Sequence, residues 1–406
     1  MSEIKVNSIK GVAASDAAIT INNTDGSCAV NNTQRQGKNL VDNGAFSIKQ
    51  RTASSITTSG YLIDRFKTSF ANQDEALTSS YVDVASGTTP YTLGFRKALK
   101  ITNGNQTSGA NSNDFVGVNH VIESMNVASS GWNYKSTTSY ISVSFWIKAS
   151  VSQKYYMRLF SGDGTQKVWV IDTGVLTANT WTKITDKIPG HADLQFDFDN
   201  GPGLHIQFIP YYGTQFTDNS VPVGSWTASD GAAQTPDMTT TWWTTNDATF
   251  EVTGFQIEVG ANVTDFMFET PAVAQERCMR YYLEVASGGM VFGQANIYTH
   301  VSFPVVMRGS PTLVVTPGAG TAAGLVSNAF GFYGYNSLGP QAFLFTASAE
   351  YETMTYKLSK DMQGNIQTVI KTVDGVNYFI PFDSENTMYQ EYLEWVAEGN
   401  TAEPAD

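Results

Sequence analysis

The sequence is poor in the side chains that do chemistry. Of 406 residues, four are histidine and two are cysteine. Cys28 and Cys278 stand far apart in unlike surroundings, and no CxxC pair occurs. That excludes a disulfide framework and a zinc-finger type of site, and it leaves the redox compartment open. No GxSxG, HExxH or P-loop motif is present, which removes the common nucleophile, zinc-hydrolase and nucleotide signatures. No run of about 18 apolar residues exists, so no bilayer-spanning helix is expected. The opening "MSEIKVNSIKGVAASDAA" lacks the apolar stretch of a signal peptide, so ordinary secretion is not expected either. Charge is scarce as well: charged residues make up 15%, against about 25% in a typical domain. The balance is acidic, with a net charge of −13 and a pI near 4.7. Such a surface repels the phosphates of nucleic acid.

What remains builds strands. Hydrophobic residues are 41% and aromatics 12%, enough for a packed interior. Gly, Ser, Thr and Asn fill much of the rest, the composition of strands and turns. A chain of 406 residues is expected to hold two or three domains, and no fixed-period repeat is present. In "SYISVSFWIKAS", Ile141, Val143, Phe145 and Ile147 alternate with Ser142, Ser144, Trp146 and Lys148. That is the period of a strand with one face on a core. Trp146, on the other face, is expected to pack on a second layer or a neighbouring chain. "YYMRLFSGDGTQKVWVI" reads as a hairpin around Gly162-Asp163-Gly164. Leu204, Ile206 and Phe208 alternate with His205, Gln207 and Ile209. In "TFEVTGFQIEVG" the apolar phase flips at Thr253-Gly254, where a β-bulge restores a single inward face. Many short antiparallel strands over about 230 residues predict a mainly β fold, a jelly-roll-like β-sandwich.

The chain divides unevenly. Residues 1–38 hold no Phe, Tyr or Trp and only short β-like runs. Either an extended arm ordered by a partner or a disordered tail fits that composition. The sandwich is assigned to 39–270. "PAVAQERCMRYYLEV" then predicts a linking helix over 271–287, with Ala274, Cys278, Tyr281 and Tyr282 on one side. Runs such as "HVSFPVVM", "TLVVT" and "QAFLFTASAEY" predict a second small β-domain over 288–382. Thr387 and Gln390 have capping-box spacing, and Met388, Tyr392, Trp395 and Val396 form an apolar stripe. Residues 383–406 are read as a C-terminal helix and tail.

Few positions carry candidate chemistry. Asp197 and Asp199 are two apart in "HADLQFDFDNGPGLHI". On a strand they share a face and, with carbonyls, form a candidate Ca²⁺ site. The plainer alternative is a polar hairpin loop, because "DNGPG" is strong turn sequence. A carboxylate pair for glycoside cleavage can be drawn in the same place, although any acidic chain offers such pairs. Tyr211, Tyr212, Trp226, Trp242 and Trp243 lie in loop-like segments near one end of the sandwich. Exposed, they offer flat faces to sugar rings. The alternative is burial, the usual state of tryptophan. Arg277 and Arg280 either pair with another subunit or lie on a solvated helix face. No cofactor is expected.

Several segments resemble a known family. "NLVDNGAFSIKQR", "GYLIDRF", "SVSFWIKAS", "TWTKITDKIPG", "FEVTGFQIEVGANVTDFMFETPAVAQERCMRYY" and "VSFPVVMRGSPTL" occur in the same order as in a widespread group of bacteriophage tail-fibre proteins. Those carry a carbohydrate-binding-like β-sandwich with a "TGVQLEVG…ATPFE…CQRYY" ending. The likeness covers roughly residues 39–315. Met279 stands where the family usually has Gln, and "DFM" stands where it has "ATP". The N-terminal "SEIKVNSI…ITINNTDGS" looks like the virion-proximal starts of fibre proteins from marine and cyanobacterial phages. The C-terminal "YQEYLEWVAEGNTAEPAD" looks like endings of phage structural proteins. The resemblance implies a homotrimeric virion fibre, assembled in the host cytoplasm and without enzymatic activity. Its N-terminal arm docks on other virion proteins, and its distal domains meet a host cell-surface glycan. Neither nucleic acid nor membrane insertion is implied. In such a trimer, Met279, Tyr281 and Tyr282 of three junction helices are expected to meet near the axis. Tyr392 and Trp395 are further interface candidates. The alternatives are a head or neck fibre, a polysaccharide-degrading tailspike enzyme, and a host-encoded lectin, the last disfavoured by the absent secretion signal.

Overall fold

Period-2 alternation of apolar residues is realised throughout as antiparallel strands, and the chain is mainly β. The computed structural model describes residues 39–291, 293–338, 340–351, 354–360, 366–373 and 376–383. It also describes positions 8–9, 19–21, 24, 28–30, 386, 388–389, 392–393, 402 and 405. Near the N-terminus, β1 (Ser8–Ile9), β2 (Ile19–Ile21) and β3 (Cys28–Val30) pair antiparallel. The sandwich strands follow: β4 (Ser55–Ile56), β5 (Gly60–Ile63), β6 (Phe66–Ala71), β7 (Thr78–Asp83), β8 (Lys97–Thr102), β9 (Phe115–Glu123) and β10 (Tyr140–Ala149). Then come β11 (Lys154–Ser161), β12 (Lys167–Val175), β13 (Thr182–Pro189), β14 (Pro202–Tyr212), β15 (Trp226–Ala228) and β16 (Thr249–Val259). One sheet has the order β13-β10-β16-β8-β7-β4, the other β15-β12-β11-β14-β9-β6-β5. Because β14 lies between β9 and β11, and β16 between β8 and β10, the chain crosses repeatedly from sheet to sheet, as in a jelly roll.

The core lies between these sheets. Ile141, Val143, Phe145 and Ile147 of β10 are fully buried and share one cluster with Met157, Leu159, Ile206 and Phe208 of the facing sheet. The bulge falls where the phase flip places it: the β10–β16 register shifts between the pairs Ser144–Gln256 and Trp146–Thr253. Gly254 takes φ +63°, and a Cβ there would lie 2.6 Å from the Phe95 ring. Phe250, Val252, Phe255 and Ile257 therefore all reach the core. Trp146, on the outer face, packs with Val84, Phe95 and Ala98 beneath Phe266, so a second layer of its own chain covers it. That layer is the "VTDFMFET" segment. It is held down by Glu258, which accepts from the Thr264 backbone (2.8 Å) and hydroxyl (2.7 Å), and by Gln256, which accepts from the Met267 backbone (2.9 Å).

Among the described residues the continuous helices are short: α1 (Thr89–Thr92), α2 (Ser124–Ala128), α3 (Thr241–Thr244) and α4 (Pro271–Met279). Among the described residues no helix is long and apolar enough to cross a membrane. Helix α4 buries Ala274 and Cys278 against Ile48. Arg277 pairs with Asp42 (2.6 Å) and Glu269, and donates to the Asn39 carbonyl (3.3 Å). Arg65 reaches the other oxygen of Asp42 (3.4 Å). Burial pushes the Asp42 carboxyl up, but Arg277 and Arg65 outweigh it and hold it below the usual range. Beside them His120 is buried, with Nδ1 3.2 Å from the Arg65 carbonyl. Burial first, then Arg65, push its pKa down to about 3.

The chain separates into two units, residues 1–57 with 62–278, and 58–61 with 279–406. The expected linking helix over 271–287 is shorter: it stops at Met279, and Tyr282 opens a strand. Pairing with a partner strand overrides the helical pattern here. The second unit contains β17 (Tyr282–Val291), β18 (Thr299–Ser302), β19 (Thr312–Pro317), β20 (Ala322–Asn328), β21 (Gly331–Asn336), β22 (Ala342–Ser348), β23 (Met354–Lys360), β24 (Ile366–Val373) and β25 (Val376–Pro381). They form sheets β17-β22-β19, β18-β21-β20 and β23-β24-β25. Leu283, Val301, Phe303, Met307, Phe332, Phe343 and Phe345 make its main core.

Candidate functional site

The outer face of the seven-stranded sheet brings together side chains that the sequence keeps far apart. Register pairs Lys67 with Asn119, Asn119 with Gln207, and Gln207 with Arg158, across β6, β9, β14 and β11. Their chain neighbours Phe66, Val118, Ile206, Phe208, Met157 and Leu159 point into the core, so this row points out. Arg158 donates its Nε–H to Gln207 Oε1 (2.7 Å). Asn119 donates from Nδ2 to Ser69 Oγ (3.1 Å).

Aromatic side chains flank the row. On one side, His205 stacks on Phe160, with centroids 4.4 Å apart and 8° between planes. The Arg158 guanidinium lies 4.7 Å from the Phe160 ring centre. On the other side, Phe115, Tyr212 and Phe216 pack edge to face and tilted, at 5.6–6.3 Å. Toward β12 the face is closed, because Val221 covers Tyr156, Val168 and Val170, with Ala233 and Met238 against it.

The row is neither fully buried nor fully exposed. Arg158, His205, Gln207, Asn119 and Phe160 are each half-buried. Yet burial, and then the Arg158 guanidinium, push His205 down to about 4, and burial also pushes Arg158 down. Among the described residues, nothing bonds Arg158 Nη1 or Nη2, Gln207 Nε2, Asn119 Oδ1 or either ring nitrogen of His205. These unused donors and acceptors, beside a flat ring, can grip a polar ligand that has apolar faces.

A second concavity, of about 320 Å³, lies beside the Phe266–Phe268 layer and is lined in part by Gly94, Phe95, Asn39, Asn43 and Glu269. Its amides are committed internally. Asn39 bonds Phe255 and Ile257, Asn43 bonds Ile48 and Asp64, and Glu269 bonds Arg277. Its remaining polar lining is Ser47, Tyr81, Arg96 and Lys97, the last paired with Asp83.

The sites expected from sequence fall elsewhere. Trp242 and Trp243, on α3, are 0% exposed, and their indole N–H groups donate to the Thr249 and Gly109 carbonyls (3.1 Å each). Tyr211 stacks on Trp243 at 5.2 Å and is buried, as is Tyr212. Trp242, Trp243 and Tyr211 are core aromatics, and a ring buried in this way offers no face to a sugar, whereas Tyr212 is buried on the outer face against Phe115 and Phe216. Trp226 is half-buried on the edge strand β15, 5.6 Å from Trp169, with Nε1 donating to the Pro189 carbonyl (2.7 Å). Asp197 and Asp199 lie exposed in a loop, where they accept from Gln195 Nε2 (3.0 Å) and the Gly201 backbone (2.9 Å). The turn alternative therefore describes them. Among the described residues, no group of three or more His, Cys, Asp or Glu side chains gathers to hold a metal. Tyr281 and Tyr282 are buried by their own chain, and Met279 packs on the core of the second unit, so these side chains are already covered. Arg277 pairs with Asp42 and Glu269 of its own chain, and Arg280 donates to the Val306 carbonyl (3.2 Å). Tyr392 packs 5.1 Å from Tyr356, and Trp395 lies outside the described residues.

Fold and site together define an antiparallel β-sandwich with an open polar and aromatic face. No family model matches the chain, and no curated protein matches it. Among solved structures, it is similar to the enzymatically active domain of bacteriophage CBA120 tailspike protein 4, at 9% identity and a TM-score of 0.30. That match covers 55% of this chain and only 22% of the tailspike chain. A CBM4 structure matches at 11% identity and a TM-score of 0.27, over 54% of this chain and 99% of the other. The family 11 carbohydrate-binding module from Clostridium thermocellum, in complex with a mixed-linked tetrasaccharide, matches at 13% identity and 0.24, over 52% and 95%. Likenesses this distant carry no argument about what this chain binds.

Proposed function

We propose that the chain is a subunit of a homotrimeric bacteriophage tail fibre whose sandwich binds a host-surface glycan on the outer face of the seven-stranded sheet. The observation that carries the binding role is the Arg158–Gln207–Asn119 row, with its unused hydrogen-bonding atoms beside the stacked Phe160 and His205 rings. A sugar presents hydroxyls at its rim and C–H groups on its faces, and this pairing of edge donors with a flat ring suits both. The ordered segment resemblance over residues 39–315 supports the virion role. In this reading the N-terminal arm attaches to other virion proteins, the subunit assembles in the host cytoplasm, and the protein performs no catalysis.

Association of subunits is supported by the second unit. Among the described residues, fifteen of the twenty-one exposed large apolar side chains lie beyond residue 290, including Val314, Phe330, Leu344 and Phe379. Apolar surface of that kind marks an interaction face. The test is binding of fluorescently labelled full-length protein to host cells, with Phe160→Ala and Gln207→Ala beside the wild type. Loss of binding by folded variants supports the reading. Undiminished binding by both removes this face from it. Incubation with host polysaccharide addresses the enzymatic alternative, which released oligosaccharide would establish.

A further inference from the structure

We infer that the glycan bound on this face is acidic and that Arg158 holds its carboxylate. The inference rests on the glycan-binding reading and names the class of sugar.

The polar row contains Lys67 and Arg158 as cations, Asn119 and Gln207 as amides, and no carboxylate. Arg158 has no acidic partner. Its one hydrogen bond goes to the neutral Gln207 Oε1, and it forms no ion pair among the described residues. The chain treats its other desolvated arginines differently. Arg277 has Asp42 and Glu269, Arg65 has Asp42, and Arg51 has Asp64. A half-buried guanidinium left without a counter-charge is costly to keep, and a protein tolerates it most readily where a ligand brings the missing anion.

Geometry selects the anion. Nε is committed to Gln207, so the free edge of the guanidinium is the Nη1 and Nη2 pair. Two parallel N–H groups on one planar edge match the two oxygens of a carboxylate. The Phe160 ring, against which Arg158 and His205 both lie, fixes the guanidinium in place. His205 stays neutral at physiological pH, because burial holds its pKa near 4, and it offers a hydrogen bond without adding charge. The chain's net charge of −13 gives no general attraction for polyanions, so recognition of an acidic sugar must come from this local pairing.

The experiment uses a microarray of microbial surface polysaccharides. Each uronic-acid-containing polymer is printed beside a counterpart whose carboxylates have been reduced to primary alcohols. The full-length wild type, Arg158→Gln and Arg158→Lys are applied, with folding checked by circular dichroism. The expected result is binding to one or more acidic polymers that falls about tenfold or more on the reduced counterpart. Arg158→Gln should show the same fall on the acidic polymer, with Arg158→Lys in between. The wild-type comparison stands even if a variant fails to fold. Equal binding to acidic and reduced polymers, or binding to neutral polymers alone, overturns the acidic assignment and leaves the glycan reading standing. Binding to no polysaccharide overturns both.

Discussion

At the scale of single residues, two kinds of aromatic must be told apart. Trp242 is wholly buried, whereas Phe160 is half-buried on an open face. Trp242→Ala should cost about 3–5 kcal/mol of stability and leave glycan binding intact at temperatures where the variant is folded. Phe160→Ala should do the reverse. Urea denaturation followed by tryptophan fluorescence, paired with the cell-binding assay, separates them. Asp42 is the other sensitive position at this scale, since removing it takes away the carboxylate that Arg65 and Arg277 share in the interior and leaves Arg277 with Glu269 alone of its two acidic partners. Asp42→Ala should cost about 3–5 kcal/mol, read as a drop in the urea midpoint. His120 gives a pH dependence of definite sign. Its folded pKa of about 3 lies below its ordinary 6.5, so its contribution is complete above pH 6.5 and drains away as pH falls toward 3. The slope is about 1.4 kcal/mol per pH unit. His205, held near 4, adds to the same decline, while the Asp42 stabilisation is lost only as pH falls below 3.8. His120→Gln should therefore lose less stability between pH 7.5 and 5 than the wild type. Equal losses would show that His120 is not the group responsible.

At the scale of elements, the strands were legible and their partners were not. Period-2 runs located β10, β14 and β16, and the phase flip at Thr253-Gly254 located the bulge, because both are properties of consecutive residues. Gly254→Val should be strongly destabilising, since φ +63° and the Phe95 ring both exclude a branched side chain there. Thermal unfolding would measure it. The binding row was invisible for the opposite reason. Lys67 and Asn119 stand 52 residues apart and Arg158 and Gln207 stand 49 apart, and only the strand order β6-β9-β14-β11 aligns them. The one local sign was polar residues at the outward phase of otherwise apolar strands, as with His205 and Gln207, and any solvated strand face shows that. Chemical type alone does not distinguish a core tryptophan from a platform for a sugar ring. The start of α4 is legible in the sequence because Pro271 acts locally. Its end is not legible, because pairing of β17 with β22 decides where it stops.

At the scale of the whole molecule, the trimer is expected to be held by the second unit. Light scattering of the full-length protein should give three times 44.1 kDa. Val314→Glu combined with Leu344→Glu, both on exposed positions, should shift it toward monomer. A wild-type monomer would refute the association. The Asp42–Arg277 pair has one more consequence. It joins the first turn after residue 39 to the last turn before residue 279, with the Asn39 carbonyl itself bonded to Arg277. The sandwich therefore begins and finishes at one point in space. Its native ends can be fused by a short linker and new ones cut at Gly131, which is exposed and where an added Cβ would meet nothing within 4 Å. A circular permutant built that way should fold, and it would turn this sandwich into a cassette that can be inserted into a loop of an unrelated protein.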